Sequence, residues 1–291
     1  MVEQGKDRLG LLCVHAHPDD EASSTGGILA RYAGEGIRTA VVTCTGGERG
    51  EIHNMDAVEV APRLAEVRLG ELTAALQVLG AGEPRMLGYV DSGMMGTDGN
   101  DDPKSFWRAD IDEAVGRLVA QIRAFRPDVV TTYDAYGGYG HPDHLQTHRV
   151  GVLAAEGAGI APLYPDAGLA WRVRKVYLST FSSSMFAEMF AELAARGLLP
   201  DDFPEDLPED ERQMPPGTPD ELIGAVVDIN PQLTTKWAAL QAHSSQMDPE
   251  SFFLQMPEDL RSRVFGQERF LRLRSDVDVP HVEDDLFTGL R

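Results

Sequence analysis

Two short polar clusters contain residue types that bind metal ions and move protons. The first spans residues 15–21, reads His-Ala-His-Pro-Asp-Asp-Glu and directly follows an apolar run. His17 and Asp20 lie three residues apart, so an imidazole nitrogen and a carboxylate oxygen can converge on one divalent ion. Asp19 lies between them, and a second carboxylate beside a bound metal is the usual general base in metal-assisted hydrolysis. The alternative interpretation is a turn rich in proline and aspartate with an incidental histidine.

The second cluster spans residues 139–144 and reads Tyr-Gly-His-Pro-Asp-His. Pro142 suits the first position of a helix, which puts His141 near the cap and His144 in the first turn. Both imidazoles are therefore expected to face a crevice rather than the core. Together the clusters supply a third metal ligand and a spare imidazole, so the sequence predicts one joint metal site.

The first 180 residues alternate apolar runs with helical periodicity, which sets where these clusters lie. Strands are predicted at residues 9–15, 39–43, 85–90, 129–133 and 173–180, and helices at 25–35, 58–79, 110–125 and 142–156. This alternation predicts an α/β fold with a Rossmann-like, mainly parallel sheet and helices on both faces. The ligand crevice of such a sheet lies outside the carboxyl ends of its strands, and both clusters fall there.

Beyond residue 180 the alternation loosens. A helix is predicted at residues 184–196, a strand at 225–229 and a helix at 233–243. The segment 200–221 holds six prolines and nine acidic residues, which is typical of a solvated connection or a flexible flap. We therefore expect a catalytic core over residues 1–180 and a smaller α+β region over 181–291 that completes the rim of the site.

Composition narrows the classes of partner. Among 291 residues, 26 Lys and Arg stand against 47 Asp and Glu, a formal charge of −21. Such a chain repels phosphate backbones and anionic lipid, so neither nucleic acid nor a membrane is an expected partner. No apolar run approaches the roughly 20 residues that cross a bilayer, and no signal peptide is evident. Cys13 and Cys44 are expected to be buried, reduced thiols, which favours the cytoplasm.

The motifs resemble those of a known family. Residues 16–20 resemble the Ala-His-Pro-Asp-Asp motif of the PIG-L-like (N-acetylglucosaminyl-phosphatidylinositol de-N-acetylase) superfamily, and residues 141–144 resemble its His-Pro-Asp-His motif. The similarity extends over most of residues 9–180 and, more thinly, through 242–247 and 284–290. It is strongest to the actinobacterial mycothiol-pathway deacetylases and mycothiol S-conjugate amidases. These are Rossmann-like zinc hydrolases that cleave an amide on a glucosamine nitrogen.

The resemblance implies a metal site and a base. One zinc ion per chain would bind His17, Asp20 and His144, and ferrous iron also suits two histidines and one carboxylate. Asp19 would be the general base.

The resemblance also implies roles for the second cluster. His141 would be the imidazolium that stabilises the oxyanion and protonates the leaving amine, with Asp143 as its orienting carboxylate. Such a carboxylate is expected to raise the pKa of His141. Tyr139 matches a tyrosine that helps to bind the tetrahedral intermediate.

Substrate contacts are less clearly indicated. Arg68 and Asp91 match sugar-contacting positions of the deacetylases. Glu51 closes a glycine-containing loop, residues 45–51, that is either a sugar-binding loop or a plain turn. Ser24 stands where the deacetylases carry serine and the amidases carry lysine. His243 is more typical of a cap than of a ligand.

Several functions remain open from the sequence. Residues 91–94 and 137–140 are similar to the deacetylases, whereas 46–49 and 243–249 are closer to the amidases. The expected activity is hydrolysis of an N-acyl amide on a small amino sugar, such as N-acetylglucosaminyl-inositol. The alternatives are a mycothiol S-conjugate, another N-acetylglucosaminide, a phosphoester, or a non-catalytic sugar-binding relative. A homo-oligomer is also left open.

Overall fold

One mixed sheet runs through the chain in the computed structural model, which describes residues 8–197, 217–248 and 252–291. Its strands are β1 Gly10–His15, β2 Arg38–Thr45, β3 Arg85–Tyr89, β4 Val129–Tyr133, β5 Lys175–Thr180, β6 Ala225–Asp228 and β7 Gln267–Ser275. Their spatial order is β3-β2-β1-β4-β5-β7-β6. The first five strands are parallel, while β7 is antiparallel to both β5 and β6. The predicted mainly parallel sheet is confirmed.

Helices cover both faces of the sheet. They are α1 Asp20–Gly34, α2 Ala57–Val60, α3 Leu64–Leu79, α4 Ile111–Phe125, α5 Pro142–Gly157, α6 Ser183–Arg196, α7 Leu233–Ala242, α8 Phe252–Gln255 and α9 Glu258–Phe265. Side chains alternate along β1: Leu11 and Cys13 pack with residues of α1, α3 and α7, whereas Leu12 and Val14 pack with those of α4 and α5. No helix in the described ranges is long and apolar enough to cross a membrane.

The strand order changes direction between β1 and β4. From β1 the chain proceeds to β2 and β3 on one side, and it then crosses to β4 on the other side. A crevice opens outside the carboxyl ends of the two strands that flank such a switch point. Because β1 ends at His15 and β4 ends at Tyr133, both polar clusters begin beside this crevice.

Two helix predictions differ from the structure. The helix expected over residues 58–79 is broken into α2, a 3₁₀ turn at Ala61–Arg63 and α3. Pro62 lies in that turn and lacks the N–H that a continuous helix requires. Helix α1 begins at Asp20 rather than at residue 25, because the backbone carbonyl of Asp19 accepts the N–H groups of Ala22 and Ser23.

The region after residue 180 is tied to the sheet. Both β6 and β7 extend the same sheet as the first five strands. The boundary at residue 180 therefore stays a prediction. Most of the Pro- and acid-rich segment 200–221 lies outside the described residues, and its described end leads into a 3₁₀ turn at Asp220–Leu222.

Candidate active site

The turn after β1 brings the first cluster together. The backbone N–H of His17 donates to Oδ2 of Asp20 at 2.8 Å, which folds the carboxylate back beside the imidazole ring. Asp20 then opens α1. Both side chains are buried at the bottom of the crevice.

The loop after β4 places the second cluster opposite. Gly137, Gly138 and Gly140 all adopt positive φ, a conformation that few other residues tolerate, and the chain then enters α5. His141 is the N-cap of α5, and its ring Nδ1 accepts the backbone N–H of Asp143 at 3.1 Å. The prediction that His141 caps this helix and His144 lies in its first turn is confirmed.

Three potential ligand atoms meet at nearly equal separations. Nδ1 of His17 lies 3.3 Å from Nε2 of His144 and 3.5 Å from Oδ2 of Asp20, and the latter two atoms are 3.4 Å apart. A tetrahedral shell with bonds of about 2.1 Å has edges of about 3.4 Å, so the triangle matches one face of a zinc shell. His141, Asp91 and Asp143 also lie close to His17, within a cluster of ligand atoms no more than 4.8 Å apart.

The remaining ring nitrogens of the two histidines are held by acceptors. Nε2 of His17 lies 3.2 Å from Oδ2 of Asp143, and Nδ1 of His144 lies 3.0 Å from the carbonyl oxygen of Gly137. Acceptors at these positions keep the protons on the far nitrogens and leave the near nitrogens free for a metal. The residues present therefore fit a zinc ion.

Charge at the site favours a cation. Burial lowers the pKa of His17, but hydrogen bonds with Asp143, Asp20 and Asp91 outweigh it and raise that pKa well above its ordinary value. Burial raises the pKa of Asp20, but His144 and His17 hold it well below its ordinary value. Carboxylates around one ring thus stabilise positive charge where the ligand atoms converge.

Asp19 has a strained backbone and a fixed side chain. Its φ of 108° is rare for a residue other than glycine, and such strain costs about 1–3 kcal/mol and clusters at functional sites. Oδ2 accepts a hydrogen bond from Nη2 of buried Arg68 at 2.9 Å. Burial raises the pKa of Asp19 to about 6, and the charge of Arg68 opposes that rise.

The carboxylate of Asp143 was expected to contact the ring of His141, but in the structure it contacts other residues. That carboxylate faces His17 and accepts hydrogen bonds from the backbone N–H and the hydroxyl of Ser92. Only the backbone of Asp143 bonds to His141, while its carboxylate contacts the ring of His17, so the orienting role implied by the resemblance stays a prediction. Burial and the charges of His17 and His144 lower the pKa of His141 to about 4, and they outweigh the charge of Asp143, which raises that pKa as expected.

A cavity of about 750 Å³ opens above these groups. Its lining includes eight of the residues singled out from the sequence, namely His17, Asp19, Asp20, Glu51, Arg68, Asp91, Tyr139 and His141. The ring of Tyr139 is half-exposed and lies 4.8 Å from that of His144. Five carboxylates in the lining outnumber two guanidinium groups, so the cavity suits hydroxyl groups better than phosphate.

Asp91 and Arg68 are already bound by protein groups. Asp91 accepts the backbone N–H groups of Gly93 at 2.7 Å and Arg49 at 3.1 Å, and its Oδ1 lies 3.7 Å from Nε2 of His17. Arg68 also donates to the carbonyl of Gly47 at 2.8 Å. Both residues therefore fix the walls of the cavity as well as line it.

Ser24 is not brought to this cavity among the described residues. It lines a separate small pocket beside Ser179, Lys236 and Glu268. Arg49 and Gln246 also line the main cavity: Arg49 belongs to the loop 45–51 that was offered as a sugar-binding loop, whereas Gln246 was not predicted to line it. Both lie within motifs that resemble the amidases, and that resemblance is the sequence feature from which their place at the cavity could have been predicted.

Comparison with known proteins identifies the family of this chain. The family model described as PIG-L: GlcNAc-PI de-N-acetylase matches residues 12–155. A protein of Geodermatophilus obscurus named 1D-myo-inositol 2-acetamido-2-deoxy-alpha-D-glucopyranoside deacetylase is 43% identical over 289 residues, which cover 96% of this chain and 97% of that protein. The chain belongs to the PIG-L family. The resemblance seen in its motifs is confirmed.

Further similarities of this PIG-L family member cover nearly its whole length. A Rhodococcus jostii protein of the same name is 41% identical over 293 residues, or 96% of this chain and 98% of that protein. The solved structure of N,N'-diacetylchitobiose deacetylase from Pyrococcus horikoshii has a TM-score of 0.64 at 19% identity, and the match covers 92% of this chain and 84% of that one. At that identity the likeness shows the fold alone.

Proposed function

We propose that this chain is a zinc-dependent deacetylase of 1D-myo-inositol 2-acetamido-2-deoxy-α-D-glucopyranoside. Hydrolysis of the acetamide would release acetate and the free amine of the glucosamine. The names and the 43% and 41% identities of the full-length relatives support the substrate. The observation that carries the reaction is the near-equilateral triangle of His17, Asp20 and His144 with Asp19 beside it.

Zinc would be held by Nδ1 of His17, Oδ2 of Asp20 and Nε2 of His144. When bound, it supplies a Lewis acid and lowers the pKa of a coordinated water towards about 7. Two alternative groups of ligand atoms lie nearby, and both include His141. A metal ion bound to the ring of His141 would compete with its proposed role as a hydrogen-bond donor to the oxyanion. Ferrous iron suits the same ligands.

Asp19 is proposed to take the proton from the attacking water. Its side chain lines the cavity directly beside the ligand triangle. Arg68 donates a hydrogen bond to Oδ2 of Asp19, and the other oxygen, Oδ1, can accept the proton. The fixed backbone and fixed side chain avoid reorganisation during the reaction.

His141 and Tyr139 are proposed to bind the developing oxyanion. Because Nδ1 of His141 accepts a backbone N–H, the neutral ring carries its proton on Nε2. That N–H can donate to the oxyanion, and the phenol of Tyr139 lines the same cavity. Because the pKa of His141 is lowered to about 4, we propose that the proton taken up by Asp19 passes to the leaving amine, in place of the proton from His141 that the family resemblance implies.

The cavity supports a neutral polyol as substrate. The excess carboxylates can accept hydrogen bonds from hydroxyl groups, and they disfavour the phosphoester alternative. Gln246 comes from the region after residue 180 and lines the cavity, which supports the proposed rim. The presence of both Asp19 and His141 at the site argues against a purely sugar-binding relative.

A panel of substrates tests this function. The zinc-loaded protein is incubated with the inositol glucosaminide, N,N'-diacetylchitobiose and a mycothiol S-conjugate, and the free amine is measured. We expect the highest kcat/KM for the inositol glucosaminide and a value about 10²- to 10⁴-fold lower for an Asp19→Asn control. A preference for the S-conjugate would identify an amidase instead, and no amine from any substrate would refute the proposal.

A further inference from the structure

Asp19 is held through its backbone by a residue outside the proposed chemistry. The backbone N–H of Asp19 donates to Oε2 of Glu21 at 3.0 Å, and its carbonyl accepts two N–H groups of α1. A residue in the left-handed region returns to ordinary backbone angles unless its surroundings over-determine it. The direction of the Asp19 carboxylate therefore depends on Glu21.

Glu21 is itself held by a distant histidine. Its Oε1 lies 2.7 Å from Nε2 of His243, and both side chains are completely buried. The two residues are 222 positions apart, and His243 directly follows α7. Nδ1 of His243 has no hydrogen-bond partner among the described residues, so the Glu21 contact is the polar anchor of the ring.

The turn that carries His243 is fixed by the helix that carries Arg68. Glu71 accepts the backbone N–H and the hydroxyl of Ser245, each at 2.7 Å. Arg68 and Glu71 lie three residues apart on α3 and so share one helix face. One helix thus positions the side chain of Asp19 directly and its backbone through His243 and Glu21.

A buried pair of this kind stabilises the fold little more than an apolar pair would, although removal of one partner alone is destabilising. An imidazole and a carboxylate lose their hydration, and a well-packed apolar pair is often as stable or more stable. Here the other carboxylate oxygen of Glu21, Oε2, also accepts a hydrogen bond from the backbone N–H of Asp19, the residue with the strained backbone. We propose that Glu21 and His243 form a positioning pair that holds Asp19 in its left-handed conformation and aims its carboxylate at the reacting centre.

Variants of His243 test the pair, and the kinetic part rests on the proposed deacetylase function. His243→Leu removes the contact, whereas His243→Gln keeps an N–H donor near the position of Nε2. A misplacement of about 1 Å can lower a rate by about 100-fold, so we expect kcat of His243→Leu to fall by about that factor. KM and zinc content are expected to stay at wild-type values, because His243 is not among the residues that line the cavity. His243→Gln is expected to recover most of kcat.

Lys236→Met is the matched control. Lys236 lies on α7 and forms an equally buried pair with Glu268, at 2.7 Å, against the same helix α1. It is expected to lose stability and keep its kcat. An equal fall of kcat in Lys236→Met, a fall in His243→Leu that merely follows lost zinc, or no fall at all would overturn the proposal.

Crystal structures of the zinc-loaded variants give an answer that needs no substrate. Asp19 is expected to leave the left-handed region in His243→Leu and to keep it in His243→Gln. If Asp19 keeps its left-handed backbone conformation in His243→Leu, the proposed positioning role of the pair is refuted, even if the wild-type protein is a fully active deacetylase. An inactive wild-type enzyme with a displaced Asp19 in His243→Leu would instead refute the proposed function and leave the pair intact.

Discussion

Removal of the Asp143 carboxylate is expected to weaken zinc binding rather than the chemical step. Its Oδ2 lies 3.2 Å from Nε2 of His17, so it keeps the ring in the tautomer that presents Nδ1 to the metal. Loss of such an acceptor typically costs 10- to 100-fold in metal affinity. We expect a loss of about 100-fold for Asp143→Ala, or about 2.7 kcal/mol. For Asp143→Asn, which keeps an acceptor oxygen, we expect about tenfold.

Competition with a chromophoric chelator measures this affinity on the purified, folded variants. Asp143→Ala leaves the buried N–H of Ser92 without its acceptor, so folding is checked by circular dichroism. Asp143→Asn retains that acceptor and decides the question if the alanine variant unfolds. Ser92→Ala is the control, because it loses the bond to Oδ1 of Asp143 and the one that its hydroxyl accepts from the backbone N–H of Trp107, and it leaves the contact between Asp143 and His17.

The opposite pattern would refute this reasoning. If both Asp143 variants bind zinc as tightly as the wild type but turn over slowly at saturating zinc, the carboxylate acts on His141. The role implied by the family resemblance would then be right, and the orientation of His17 would be of no consequence.

Three other perturbations test separate parts of the structure. Asp19→Asn is expected to keep its zinc by elemental analysis and to lose about 10²- to 10⁴-fold in kcat, and near-normal turnover would exclude the general base. Burial raises the pKa of Cys13 and Cys44 to about 12, so a thiol reagent at neutral pH is expected to label neither in the folded protein and both in denaturant. Labelling of the folded protein would contradict their burial. Glu283→Leu leaves Lys175 buried without its carboxylate partner and is expected to lower the free energy of unfolding by about 3–5 kcal/mol in a denaturant titration, whereas an unchanged midpoint would contradict the pairing.

Local rules made the two clusters predictable from the sequence. Pro142 suits the first helical position, so His141 had to cap and His144 had to fall in the first turn. The alternation of strands and helices then placed both clusters at the ends of parallel strands, where α/β sheets bind ligands. Neither inference needed a contact between residues far apart in the chain.

The partners of individual side chains were not predictable in this way. Asp143 turns to His17 because Ser92, 51 residues earlier, supplies two donors that fix its carboxylate. Ser24 faces another pocket because α1 begins five residues earlier than its periodicity indicated. The antiparallel addition of β7 to the sheet depends likewise on pairing between distant segments, which no local pattern encodes.

Stepwise reconstitution with zinc tests the central claim most directly. Metal-free protein is titrated with zinc, and the amine released from the inositol glucosaminide is measured at each addition. We predict a linear rise that stops at one equivalent per chain, and no activity from His144→Ala at the same zinc concentrations. Activity that is independent of zinc, a rise that continues to two equivalents, or an active His144→Ala variant would contradict a single zinc centre at His17, Asp20 and His144.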